Sequence, residues 1–225
     1  MILPRIFYKD EFNRFEKFIE SFGGVKRIIH AKTILYDTTD SRHNVYYIYN
    51  GIAEWSLVNE EGHKEILALY GSGSLYPINL FNEAFSLENV LYFSALTDIE
   101  VINFSNESLK SLIDTNKDFA KSVVNHYCRE SNLLITKLYL HTFNDSSRII
   151  ASFLYLCYLD GKERYIDYNF SQEEIGQIIG VSRVQVARFL KFLRKENIIT
   201  TRRKRIEIID IERLKELCDF TVYEE

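Results

Sequence analysis

Near the carboxyl end, residues 170–199 read FSQEEIGQIIGVSRVQVARFLKFLRKENII, and no other stretch limits the fold as strongly. Ser171 with Glu174 three residues on is a capping box, and Ile175, Ile178 and Ile179 fall on one face of the helix it opens. Gly180 supplies a sharp turn. Ser182 then caps a second helix whose inner face is Val186, Phe189, Leu190 and Leu193, with Arg183, Val184, Gln185, Arg188 and Lys191 outside. Two short helices around a glycine turn, the second with such an outer face, make a helix-turn-helix.

Ser182 and the outer side chains are the expected DNA contacts of this helix, and their chemistry suits a duplex. Arginine offers a planar fork to guanine O6 and N7, glutamine can pair with adenine N6 and N7, and an apolar group can touch a thymine methyl. Next, IITTRRKRIEIID reads as a strand, a turn and a second strand, a wing whose Arg202, Arg203, Lys204 and Arg205 would lie against phosphates. From Arg183 to Arg205 there are nine basic side chains and one acid, Glu196, although the whole chain carries a net charge of −4. The expected partner is double-stranded DNA. A solvated basic helix on an ordinary bundle, or a protein-binding winged domain, is the alternative.

Glycine and proline divide the rest. Six of the nine glycines lie between Gly23 and Gly73, both prolines are Pro4 and Pro77, and no glycine occurs from Ser74 to Asp160. The front is therefore strand-rich. Residues 25–36 and 45–69 are dense in β-branched and aromatic side chains, cut by Asn50-Gly51 and Glu60-Glu61-Gly62, which is hairpin-turn chemistry, with residues 90–104 as a later strand pair. A small barrel or jelly roll with an aromatic interior is expected.

From Phe119 to His141 the period changes. Ala120, Val124, Tyr127, Ser131, Leu134, Leu138 and His141 recur at alternating steps of four and three, the seam of a helix that pairs with a second copy or packs on its own barrel. Asn144-Asp145-Ser146 then breaks the chain with N-cap residues before the apolar helix RIIASFLYLCYL. The α+β architecture expected is a β jelly-roll, cupin-like domain over 1–116, a dimerisation helix and hinge over 117–143, and a winged helix-turn-helix over 144–225.

The stretch EEIGQIIGVSRVQVARFLKFLRKENII resembles the helix-turn-helix of the cyclic-AMP receptor protein and Fnr superfamily of bacterial transcription regulators. The order of β-rich domain, GSGSL turn, seam helix, FNDSSR hinge and winged helix is similar across nearly the whole chain. The resemblance implies a homodimer with an effector-binding roll, seated on a roughly two-fold-symmetric operator upstream of promoters, where RNA polymerase is the further partner. Two departures alter those implications. The position of Val184 is often glutamate in the superfamily, an acceptor for cytosine N4, so an A/T-rich half-site is expected here. The region matching the cyclic-phosphate cassette, SLYPINLFNEAFSLENVLYFSALTD, holds no arginine or lysine, and cyclic AMP is not the expected effector.

Other sensor chemistries also lack their residues. No cysteine precedes Cys128, which removes an amino-terminal iron–sulfur cluster, and His30, His43, His63, His126 and His141 have no context marking a haem ligand. The chain is similar to the superfamily branch that responds to halogenated phenols. That branch implies an apolar, partly aromatic effector near Tyr76 and Phe93, met by His126, Tyr127 and Arg129 on the seam helix, although Arg129 suits a surface position equally well.

Metal and catalytic readings find no support. Cys128, Cys157 and Cys218 form neither a disulfide framework nor a C-x-x-C site and suit a reducing cytoplasm. The histidines are too scattered for a metal cupin, and no nucleophile elbow, P-loop, dinucleotide fingerprint or zincin motif occurs, so neither a metal site nor a catalytic residue is expected. The chain has no signal-peptide-like start and no eighteen-residue apolar run, so no membrane partner is expected. A cyclic-nucleotide-type module acting on a protein partner remains the alternative that the basic wing opposes.

Overall fold

The computed structural model describes residues 6–37, 44–78, 90–161, 165–166, 170–202 and 205–219. Contacts divide the chain into two units, one of Ile6–Cys128 and a second beginning at Arg129.

The first unit holds two sheets. Its short β1 (Phe7–Tyr8), β3 (Ile34–Asp37), β5 (Ala53–Val58), β6 (Lys64–Tyr70) and β8 (Leu91–Ala95) form one, in the order β1-β6-β5-β8-β3. The other is β2 (Val25–Ile29), β4 (Asn44–Asn50), β7 (Leu75–Tyr76) and β9 (Ile99–Ser105), in the order β2-β9-β4-β7. Glu60-Glu61-Gly62 closes a hairpin as expected, with Val58 opposite Lys64. Asn50-Gly51 does not. It carries the chain from one sheet to the other, because β4 pairs with β7 and β9 and never with β5. Gly51 adopts φ +87°, and a Cβ there would lie 2.2 Å from the Asp98 carbonyl oxygen, so only glycine fits this corner. The strand pair expected over 90–104 is corrected likewise, since β8 pairs with β3 and β5, and β9 with β2 and β4. Turn residues mark where a strand ends and leave open which strand it meets next.

Aromatic rings fill the space between these sheets. Tyr70 and Tyr76, one from each sheet, have centroids 4.5 Å apart, and Phe93 lies 4.5 Å from Tyr76 and 5.7 Å from Tyr70. Trp55 contacts Tyr76 at 5.7 Å, and Tyr8 stacks on Tyr70 at 5.3 Å. Ring contacts at such distances add to the large area each side chain removes from water.

The first unit also holds α1 (Glu16–Ser21) and α2 (Asn106–Thr115), and the long α3 (Lys117–Phe143) begins in it. The opening turns of α3 belong to the first unit's core: the Phe119 ring meets Phe12, Phe15 and Phe18 at 5.3–6.0 Å. Two turns beyond Phe119, His126 Nδ1 lies 2.7 Å from Glu11 Oε2, and both side chains are buried. The Tyr127 hydroxyl donates to the Ile78 carbonyl. These anchors explain why the units divide inside α3, after Cys128, and not at its first residue.

The second unit contains α4 (Ser146–Gly161), β10 (Tyr165–Ile166), α5 (Gln172–Ile179), α6 (Arg183–Lys195), β11 (Ile199–Arg202), β12 (Arg205–Ile208) and α7 (Ile211–Glu216), with the three strands in the order β10-β12-β11. Asp145 Oδ1 accepts the Arg148 amide at 3.0 Å, capping α4 where the sequence breaks. Ile150, Leu154, Ile178, Val186, Leu193 and Leu214 are buried in its core. Burial pushes the Cys218 thiol up to about 12, and Cys157 is buried as well, so both act as small apolar side chains. Among the described residues, no helix is long and apolar enough to cross a membrane.

Candidate nucleic-acid interface

The helix-turn-helix is assembled by its caps. Ser171 Oγ accepts the Glu174 amide at 3.1 Å while Glu174 Oε2 accepts the Ser171 amide at 2.7 Å, the reciprocal box expected for α5. Gly180 closes that helix at φ +65° in the left-handed region.

A second glycine, which pattern reading passed over, is as strict. Gly176 lies within α5, and its carbonyl accepts the amides of Gly180 and of Val181, the latter at 3.0 Å. A Cβ at Gly176 would approach the Val181 carbonyl oxygen to 2.6 Å, and that oxygen is backbone and has no rotamer to yield. The only sequence signal was a glycine inside an amphipathic helix, a costly placement unless another backbone passes close by. Gly176→Ala should lower the stability of the second unit by about 1–3 kcal/mol, read as a reduced thermal midpoint by circular dichroism. An unchanged midpoint would contradict the close approach.

The cap of α6 engages two of the residues expected at the DNA. Gln185 Oε1 accepts the Ser182 amide at 2.9 Å and the Ser182 hydroxyl at 2.8 Å, and Ser182 Oγ accepts the Gln185 amide at 3.3 Å. Glutamine reads adenine with its carbonyl oxygen and its amide together. Here that oxygen also completes the cap of α6, with Ser182 as its partner.

The remaining outer face is open. Arg183, Arg188 and Lys191 are exposed, Val184 is 65% exposed, and among the described residues none of the three cations has a carboxylate partner. Their inward neighbours Val186, Leu190 and Leu193 are buried. Glu196, the one acid in this basic run, is turned away to Arg213, whose guanidinium is 3.2 Å from its carboxylate and 2.9 Å from its carbonyl. The surface of α6 is therefore positive without internal neutralisation, as phosphate neutralisation requires.

Strands β11 and β12 pair in register from Ile199 opposite Ile208 to Arg202 opposite Arg205. Arg203 and Lys204, the two residues between, lie outside the described residues, and so does the Arg202 side chain. Arg205 is exposed.

The model of the Crp-like helix-turn-helix domain matches residues 147–217. The cAMP-activated global transcriptional regulator CRP of Salmonella typhimurium is 28% identical over 183 residues, 79% of this chain and 86% of that protein. Residues 147–217 form a Crp-like helix-turn-helix domain, and most of the chain is similar to CRP-type regulators. With that domain and those relatives, the chain is a DNA-binding transcription regulator controlled by an effector. Another relative, the global nitrogen regulator of Synechocystis, is 25% identical over 185 residues, covering 79% of this chain and 81% of its own. Among solved structures, the fold is shared with a CooA mutant from Carboxydothermus hydrogenoformans (TM-score 0.76, 18% identity, 89% of each chain). It is shared also with OCPA-complexed CprK (TM-score 0.74, 20% identity, 96% of this chain and 100% of that one).

On the seam helix, Val124 is 61% and Leu138 69% exposed, with Tyr127, Ser131 and Leu134 also open and Ala120 half-buried. A second stripe one position away, Phe119, Val123, His126, Glu130, Leu133 and Leu140, is the buried one. The two stripes run side by side along one helix, and both have the four-and-three spacing. The sequence signal for the second was already present in the phenylalanine and leucines at that register.

Several of the effector residues expected from the sequence come together. Tyr76, Phe93 and His126 belong to one ring cluster, bridged by Tyr70, which is 6.0 Å from His126. The His126 side chain is engaged by Glu11, and Arg129 falls at the start of the second unit. Residues 79–89 of the phosphate-cassette region lie outside the described residues.

Proposed function

We propose that two copies of the chain pair along the exposed seam of α3 and present their α6 helices to an approximately palindromic, A/T-rich operator. The observation that carries this reading is the outer face of α6: exposed Arg183, Val184, Arg188 and Lys191, a filled inner face, and the neighbouring acid drawn off to Arg213. Arg183 and Arg188 contact guanine edges, Val184 meets a thymine methyl, and Lys191 with the wing cations Arg202 to Arg205 grips phosphates. Seating both helices in successive major grooves sets the half-sites about 34 Å apart, one turn of DNA.

The effector in this reading is a small, apolar and partly aromatic molecule taken up in the β-roll. It acts only by binding one dimer arrangement more tightly than the other. The relative from Salmonella typhimurium is cAMP-activated by name. Here residues 74–98 offer no lysine or arginine to a cyclic phosphate, which supports a different ligand. The operator-bound dimer meets RNA polymerase at promoters, in the cytoplasm.

Arg188→Ala tests the reading. Its affinity for the preferred palindrome should fall by about 1–3 kcal/mol while weak binding to unrelated duplex persists. Titrations of both duplexes by fluorescence anisotropy measure it, and an equal loss on every sequence would remove Arg188 from base reading.

A further inference from the structure

We propose that Phe192 is a specificity-determining residue of α6, reading a second thymine methyl beyond the guanine met by Arg188. This rests on α6 being the groove-facing helix, as above.

Phe192 is 42% exposed although the inner face of α6 is complete without it, with Val186 and Leu193 fully buried and Leu190 nearly so. Its ring stacks on Phe189, centroids 5.7 Å apart and planes 25° from parallel, and Phe189 is itself buried. One face of the exposed ring is therefore packed and the rest is open. It lies one helical step past Arg188, so Val184, Arg188 and Phe192 follow each other at four-residue intervals, apolar, cationic, apolar, along one ridge. Exposed Lys191 and Lys195 flank it. An apolar patch ringed by unopposed cations suits a polyanion with apolar groups between its charges, and the major groove offers one such group, the thymine 5-methyl.

Eight residues of helix rise about 12 Å, and base pairs are spaced about 3.4 Å, so Val184 and Phe192 reach positions about three to four base pairs apart. Each half-site then carries two thymines at that interval with the Arg188 guanine between them.

The test replaces single thymines of the selected operator with deoxyuridine, which removes the methyl and nothing else. Wild-type chain should bind about fourfold more weakly at two positions per half-site, the worth of one buried methyl group each. Phe192→Ala should lose the response at one of the two and keep the other, while Phe192→Leu, which retains apolar bulk, should keep part of the first and all of the other. Binding to unrelated duplex and its salt dependence serve as the folding control and should not change. If the Ala variant answers the deoxyuridine scan as wild type does, Phe192 reads nothing. If wild-type chain selects no sequence at all, the base-reading role of α6 falls, and this role falls with it.

Discussion

Replacing Leu134 and Leu138 together by glutamate should leave a folded chain that sediments as one copy and binds its operator at least 100-fold more weakly. Both leucines are exposed, so neither change opens a cavity within the chain. In a paired seam, each glutamate would face its counterpart in an apolar strip, where an unpartnered charge is strongly disfavoured. Operator affinity depends on pairing because the second half-site is engaged at an effective concentration set by the tether. Losing that link removes a factor of about 10²–10⁴ without altering any base contact. Sedimentation velocity and operator titration read the two effects separately. A double variant that remains dimeric would move the pairing surface elsewhere.

The second large effect is on stability. Glu11→Ala should destabilise the first unit by about 3–5 kcal/mol, because it strips the carboxylate from a buried histidine. The rings of Tyr8 and Phe12 lie 5.2 and 6.0 Å from the imidazole, so the pair sits against apolar surface. Glu11→Gln keeps a hydrogen-bonding group within reach and should lose less. Urea unfolding measures the difference, and a cost below about 1 kcal/mol would show that the pair is dispensable. The contact is local to the amino-terminal segment and α3, so its loss would also loosen the helix that carries the seam.

Where the sequence was legible, the determining interactions were short-range. Ser171 with Glu174 and Ser182 with Gln185 are reciprocal caps within four residues, and both formed at the positions where the helices start. The function of Gln185 was less legible: the side-chain chemistry that reads adenine is the same chemistry that completes a cap. In the β-roll, residue types marked the strand ends, but pairing partners such as Ile28 with Glu100 or Tyr46 with Tyr76 are long-range and left no local trace. The Glu11–His126 contact joins residues 115 positions apart and had no pattern to announce it. On α3, two stripes of one period competed, and burial alone distinguishes the face used by the chain itself from the face left open.

The most direct measurement is selection of bound duplexes from a random pool, followed by the stoichiometry of the winning complex. Enrichment of a two-fold-symmetric sequence with half-site centres about 10 base pairs apart, occupied by two chains per duplex in sedimentation equilibrium, is the expected result. Enrichment of an asymmetric site held by one chain, or no enrichment at low salt, would contradict paired reading of DNA by this protein.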